Sequence, residues 1–279
     1  MNNFWTRVIS GIGMIALVVY LIGNGSVGIT LLALIIGTGC HYEWLKLKGA
    51  MNPLNFILSI IFFLVILFFK QIHLSEYSVF AKTFINMLMV ILGLFHFKKT
   101  GKYFNKNLII NHIYISIPLL LFTLTPYSKG FFNQYNPMLP IMLMVLVWSS
   151  DSWAYVSGKL FGKHKLAPSI SPGKTWEGLI GGTILSGITG YFYVVYLLAP
   201  DGGLIGDSSF HHFTPMKGLI LGTFISIFGT LGDLFESSLK RKAGVKDSGN
   251  VLPGHGGMLD RFDAFLFAVV VFTIVSRIP

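Results

Sequence analysis

The chain has 279 residues, of which 53% are hydrophobic and only 11% are charged. Soluble domains carry about 25% charged residues, and no polar stretch is long enough to fold alone, so a large soluble domain is excluded. A net charge of +10 would suggest nucleic acid as the partner of a soluble protein. Beside long apolar runs it instead indicates cytoplasmic loops that face anionic lipid and an anionic substrate, with no nucleic acid.

Apolar segments long enough to span a membrane as helices recur along the whole chain. We therefore predict an all-α, polytopic integral membrane protein with about nine transmembrane helices. The predicted spans are 8–23, 26–44, 54–70, 79–97, 108–126, 138–158, 176–198, 217–236 and 262–278.

The distribution of Lys and Arg predicts the orientation of these spans. With the N-terminus in the cytoplasm, 16 of the 21 Lys and Arg residues lie inside and 5 lie outside, as the positive-inside rule expects. The two most polar loops, 159–175 and 237–261, are then cytoplasmic. We predict a multi-pass protein of the cell (inner) membrane whose active site faces the cytoplasm.

The first part of the chain, residues 1–135, offers little chemistry and is predicted to be an N-terminal transmembrane region. Glu43 ends the second span and is interpreted as a carboxylate that reaches the membrane interface, with a binding role as the alternative. Cys40, the only cysteine, is interpreted as a small buried hydrophobic residue. Catalysis is assigned to a C-terminal transmembrane region, residues 136–279.

The sixth predicted span carries Asp151 among serines in an otherwise apolar helix. An ionisable residue inside a span is costly, which makes it a candidate for a functional site. The alternative is a packing hydrogen bond to a serine or to Tyr155.

A basic loop leads from the sixth to the seventh span. Its Gly173-Lys174-Thr175 is not a P-loop, because Pro168 stands where that motif needs glycine. Lys174 could neutralise phosphates, and Thr175 is predicted to cap the seventh helix and leave N–H groups that attract anions. Glu177, in the first turn, either complements the helix dipole or contacts a nucleotide or metal.

Four carboxylates are predicted to meet where the eighth and ninth spans join. Asp233 and Glu236 are three residues apart and share one helical face, and Asp260 and Asp263 lie one turn apart at the start of the ninth span. Clustered carboxylate oxygens suit a hard cation such as Mg²⁺. Salt bridges to the nearby Lys and Arg residues are the alternative.

The polar segment between these spans, residues 237–263, reads SSLKRKAGVKDSGNVLPGHGGMLDRFD. It combines carboxylates, cations, a histidine and glycines at one membrane surface. Phosphoryl or nucleotidyl transfer needs such a combination, because it requires a metal clamp, charge neutralisation and close backbone approach. We call residues 237–263 the signature segment.

The signature segment resembles, without a gap, the signature of the phosphatidate cytidylyltransferases, or CDP-diacylglycerol synthases. The stretches 151–155, 171–178 and 232–237 also resemble that family. The resemblance implies an enzyme that joins CTP and phosphatidate to give CDP-diacylglycerol and pyrophosphate. It further implies a helical membrane fold, dependence on Mg²⁺ with K⁺ as a second cation, and a homodimer among membrane lipids.

The resemblance also suggests roles for individual residues. Asp233 and Asp260 match its metal-binding aspartates, and we add Glu236 and Asp263 to the predicted metal set. The predicted nucleotide-binding residues are Ser171, Lys174, Thr175 and Glu177. The predicted catalytic residues are Asp233, Lys240, Arg241, Lys246, Asp247, His255, Asp260 and Arg261.

Two other functions remain as alternatives. A transporter would carry polar residues near mid-span in both halves, whereas here they gather at one surface of one half. A CTP-dependent lipid (polyprenol) kinase would use similar substrates and charges, but the unbroken signature segment favours the cytidylyltransferase.

Overall fold

The computed structural model describes residues 3–74, 106–127, 135–198, 203–204, 213–251 and 256–278. The chain is a helical membrane protein. Within the described residues, four helices are long and apolar enough to cross a membrane, and they span Gly25–Leu47, Met138–Phe161, Trp176–Leu198 and Pro215–Lys242.

The helices follow the predicted segments closely. Eight of the nine predicted spans coincide with helices, and the remaining one, 79–97, lies outside the described residues. The number of helices that cross the membrane stays a prediction. The N-terminal region contains α1 (Asn3–Gly23), α2 (Gly25–Leu47), α3 (Pro53–Leu74), α4 (Lys106–Asn111), a π-helical turn (His112–Ser116) and α5 (Ile117–Leu124). The C-terminal region contains α6 (Met138–Phe161), α7 (Trp176–Tyr193) with a π-helical turn (Val194–Leu198), α8 (Pro215–Lys242) and α9 (Leu259–Arg277).

The basic loop between α6 and α7 adds a small sheet that the sequence did not predict. Strands β1 (Lys165–Ala167) and β2 (Ser171–Thr175) form an antiparallel hairpin. The strands are too short to show a pattern of alternating polarity, and α6 ends before them at Phe161, where Gly162 has an extended backbone. We call residues 165–175 the hairpin.

The helices of the C-terminal region pack through small residues. A Cβ atom at Gly222 of α8 would collide with the backbone carbonyl of Ser186 on α7, and one at Gly190 would collide with the carbonyl of Gly218. A Cβ atom at Gly232 of α8 would lie 2.5 Å from the carbonyl oxygen of Asp263 on α9. The backbones of these helices are therefore in direct contact, which fixes the polar residues at their ends.

The helices of the N-terminal region pack through large apolar side chains. Phe122 of α5 meets Phe265 of α9 edge to face, with ring centres 5.0 Å apart. Trp44 of α2 contacts Tyr114 in the first π-helical turn at 5.4 Å. Cys40 is fully buried among them, as predicted. The N-terminal region thus packs directly against the helix that carries Asp260 and Asp263.

Candidate active site

A cleft of about 440 Å³ opens beside the end of α8. It lies where α6, the hairpin, the first turn of α7 and α8 meet. Three predicted nucleotide-binding residues and one predicted metal ligand line it, together with Asp151 of α6. These five residues are Asp151, Ser171, Lys174, Thr175 and Asp233.

One carboxylate in this cleft is paired with a lysine from the hairpin. Lys174 Nζ lies 2.7 Å from Asp233 Oδ2, and both side chains are partly exposed. Ser237, one turn further along α8, donates its hydroxyl to Asp233 Oδ1 at 3.1 Å. The pair joins two elements that the sequence separates by almost 60 residues, and it places an anion-binding ammonium group at the cleft.

A second lysine joins two more of the predicted carboxylates. Lys240 Nζ lies 2.5 Å from Glu236 Oε2 on the same helix and 2.6 Å from Asp260 Oδ1 on α9. Glu236 is fully buried, and its Oε1 atom has no hydrogen-bond partner among the described residues. Lys240 therefore links the end of α8 to the start of α9.

The other oxygen of Asp260 binds the backbone of the signature segment. Asp260 Oδ2 accepts hydrogen bonds from the N–H groups of Ser248, at 2.9 Å, and Gly257, at 2.8 Å. Gly256, which precedes the second donor, has a φ of +86°, a backbone conformation that favours glycine. Asp260 thus holds two parts of the loop between α8 and α9, one at Ser248 and one at Gly257.

Asp263 faces the same space from the next turn of α9. Its charge interacts with those of Asp233 on α8 and Asp151 on α6. Carboxylates from three helices therefore lie near one another, with Lys174 close to Asp151 as well. Within the part of the chain that the structure describes, no three Asp, Glu, His or Cys side chains lie close enough to share a metal ion.

The remaining hairpin contacts have structural roles. Thr175 caps α7 as predicted, because its hydroxyl accepts the N–H of Gly178 at 3.1 Å. Glu177 lies outside the lining of the cleft and contacts His164 Nδ1 at 2.6 Å and the N–H of Lys163 at 3.1 Å. Glu177 therefore fixes the turn between α6 and the hairpin.

The other predicted catalytic residues lie at the surface of the signature segment. Arg241 is exposed and donates from Nε to the carbonyl of Ile170 at the tip of the hairpin, at 3.2 Å. Lys246, Asp247 and Arg261 are also exposed, and the charge of Arg261 interacts with Asp151. The prediction for His255 falls outside the described residues.

Glu43 does not extend outward from the protein toward a membrane interface, so that interpretation of its side chain was wrong. Its side chain is fully buried and accepts hydrogen bonds from Ser248 Oγ and from the N–H groups of Met258 and Leu259. The donors lie more than 200 residues away in the sequence, so no local pattern around Glu43 indicates them. A charged residue near the end of a span was the only available signal.

Comparison with known proteins places this site in a family. The chain matches the sequence profile of the cytidylyltransferase family over residues 5–278. The phosphatidate cytidylyltransferase of Haemophilus influenzae is 35% identical over 195 residues, which are 66% of this chain and 63% of that protein. That of Bacillus subtilis is 46% identical over 138 residues, which are 49% of this chain and 46% of that protein.

A third relative gives a similar result. The phosphatidate cytidylyltransferase of Staphylococcus haemolyticus is 48% identical over 131 residues, which are 47% of this chain and 46% of that protein. The matched part of the chain thus spans between about half and two thirds of the length of these curated relatives.

Proposed function

Because the chain belongs to the cytidylyltransferase family, we propose that it is a phosphatidate cytidylyltransferase. It transfers the cytidylyl group of CTP to phosphatidate and releases pyrophosphate. Two ammonium–carboxylate contacts carry this proposal, one between Lys174 and Asp233 and one between Lys240 and Asp260. They join the hairpin, α8 and α9 next to a cleft at the end of apolar helices.

In the proposed reaction, a phosphate oxygen of phosphatidate attacks the α-phosphorus of CTP. The new P–O bond forms as the bond from the α-phosphorus to the β-phosphate oxygen breaks, and the electron pair leaves with pyrophosphate. A phosphate monoester has a second pKa of about 6, so the attacking oxygen is largely ionised at neutral pH. The protein needs no strong general base and must mainly align two anions that repel each other.

The residues around the cleft suit that task. Lys174 lies in the cleft and is available to neutralise a phosphate as a point charge. The first turn of α7, capped by Thr175, offers backbone N–H groups to an anion. We assign CTP to this cleft and the phosphate of phosphatidate to the adjoining surface of the signature segment, which carries Arg241 and Lys246.

Mg²⁺ is proposed as the cofactor, with Asp233 and Asp260 as ligands and Glu236 and Asp263 in support. The donors fit a hard cation by type, because all four are carboxylates, although among the described residues no three of them lie close enough to share one ion. Asp233 and Asp260 already accept a lysine ammonium each, and the buried Glu236 Oε1 has no hydrogen-bond partner among the described residues. A bound divalent cation would neutralise the phosphates and stabilise the leaving pyrophosphate. K⁺ is proposed as a second cation.

The proposal extends to the membrane and to assembly. The enzyme lies in the cell membrane with the cleft toward the cytoplasm, from which CTP arrives, while the acyl chains of phosphatidate stay in the lipid. The Lys and Arg distribution supports this orientation. A homodimer is proposed from the family resemblance.

Purified protein in detergent tests the reaction directly. With phosphatidate, labelled CTP and Mg²⁺, we expect CDP-diacylglycerol and pyrophosphate in equal amounts and no turnover in EDTA. Formation of CDP with a phosphorylated lipid would replace the proposal with a lipid kinase. Folded protein that gave no product from either route would overturn it.

A further inference from the structure

The N-terminal region sends one charged side chain into the signature segment. Glu43, near the end of α2, is fully buried, and both of its carboxylate oxygens accept hydrogen bonds. Oε1 accepts the N–H of Met258 at 2.9 Å. Oε2 accepts the N–H of Leu259 at 2.8 Å and the hydroxyl of Ser248 at 2.7 Å. All three donors belong to the signature segment.

The glycines of the signature segment leave room for this carboxylate. A Cβ atom at Gly249 or at Gly257 would overlap the carboxylate oxygens of Glu43. These two glycines therefore have a role that the sequence did not indicate, because they admit a side chain of the protein itself. A larger residue at either position would displace either the Glu43 carboxylate or the segment itself, and the contact between them would be lost.

Glu43 and Asp260 both bind two short parts of the signature segment, one at Ser248 and one at Gly257 and Met258. Ser248 donates its hydroxyl to Glu43 and its N–H to Asp260. Further along the segment, Gly257 donates its N–H to Asp260, and the next residue, Met258, donates its N–H to Glu43. The position of Asp260 relative to Lys240 therefore depends on a carboxylate from the other half of the chain.

We propose that Glu43 is a positioning residue for the reaction, which acts by fixing the signature segment and, through it, Asp260. The expected change in kcat rests on the proposed function, whereas the expected effect on the structure of the signature segment does not. It also assigns the N-terminal region a part in building the active site, beyond anchoring the protein in the membrane.

The test uses Glu43→Gln, which keeps the size of the side chain. The glutamine amide has one acceptor oxygen, and its NH₂ group would face Ser248 or the N–H groups of Met258 and Leu259, which are donors as well. We expect hydrogen exchange of the N–H groups of Met258 and Leu259 to become faster by roughly tenfold or more, because they lose a charged acceptor. We expect kcat to fall roughly 10- to 100-fold, as for other residues that orient a site, with a much smaller change in KM for CTP.

Two further variants serve as controls. Ser59→Ala removes a fully buried hydroxyl from α3 of the same region, and neither hydrogen exchange at Met258 and Leu259 nor kcat should change. Ser248→Ala should add little to Glu43→Gln in the double variant, because both changes release the same contact.

The exchange measurement needs no turnover, so it separates this inference from the proposed function. Faster exchange in a protein that proves inactive with CTP and phosphatidate would support the structural role of Glu43 and overturn only the reaction. Unchanged exchange, or unchanged kcat in an active enzyme, would overturn the positioning role. Equal losses in Ser59→Ala and Glu43→Gln would also overturn it, since any packing defect would then have the same effect.

Discussion

The two halves of the molecule pack their helices in different ways. In α6–α9, glycine and serine bring the helix backbones into contact, as at Gly222 and Ser186. In α1–α5, large apolar side chains make most of the contacts described above, as where Trp44 meets Tyr114, and Gly28 of α2 lies against the backbone carbonyl of Leu21 on α1. Direct backbone contact leaves few ways for helices to shift, which suits the half that must hold Lys174, Asp233 and Asp260. The other half packs against that site and contributes the buried carboxylate of Glu43 to the signature segment.

The largest effect is expected from replacing one glycine in each half, which tests the difference in helix packing. Gly222→Val places a branched side chain against the carbonyl of Ser186 and should force α7 and α8 apart, since overpacking costs about 1–3 kcal/mol or more. Gly13→Val in α1 has open space around the new Cβ and should be tolerated. We expect Gly222→Val to give little monodisperse protein after detergent extraction and gel filtration. Equal yields from the two variants would contradict the contrast in packing.

The next effect concerns catalysis with the fold intact. Asp233→Asn and Asp260→Asn keep the shape of each side chain but remove the negative charge that holds Lys174 or Lys240. We expect turnover to fall by about a thousandfold or more, in the range seen when a group that stabilises transition-state charge is lost. Circular dichroism should show unchanged helix content. Full activity in either variant would exclude that aspartate as a metal ligand.

A smaller effect is expected at the hairpin. Lys174→Ala removes the ammonium group from the cleft and should raise the KM for CTP by roughly tenfold, about the effect of one charge-assisted contact. Lys174→Arg keeps the charge and should recover part of the loss. Initial rates at varied CTP concentration measure both. Unchanged kinetics in Lys174→Ala would limit the hairpin to a structural role.

The smallest effect is expected just beside the cleft. Glu177→Gln keeps an acceptor for the N–H groups of Lys163 and His164 but removes the charge that faces the His164 ring. We expect the Tm to fall slightly and the KM for CTP to stay within about twofold of the native value, because exposed ion pairs contribute little. A large rise in KM would restore Glu177 to the nucleotide-binding residues.

The sequence predicted the parts of the molecule that local patterns determine. Apolar runs located the helices, because a backbone in lipid must satisfy its own hydrogen bonds. Thr175 was identified as a helix cap from its place before an apolar run. The signature segment identified the family, and it contains Lys240 and Asp260, which are in contact at the ends of two consecutive helices.

The features that the sequence missed depend on distant contacts. The hairpin has strands of three and five residues, too short for a pattern of alternating polarity. The partners of Glu43 lie 205 to 216 residues further along the chain, and a buried carboxylate looks the same in a sequence as one at a membrane surface. Lys174 and Asp233 were both named as candidates, but only the folded structure shows that they contact each other.

The length of α8 has a further consequence. Its 28 residues, at about 1.5 Å per residue, make a rod roughly 42 Å long, whereas the hydrocarbon core of a bilayer is about 30 Å thick. Its first turn is tied down, because Lys217 donates to the carbonyl of Ile278 at the end of α9. In the orientation proposed above, the excess length lies at the other end, which carries Glu236, Lys240 and Arg241. That orientation would set this end at the depth of the phospholipid headgroups, where a lipid substrate could react without leaving the bilayer.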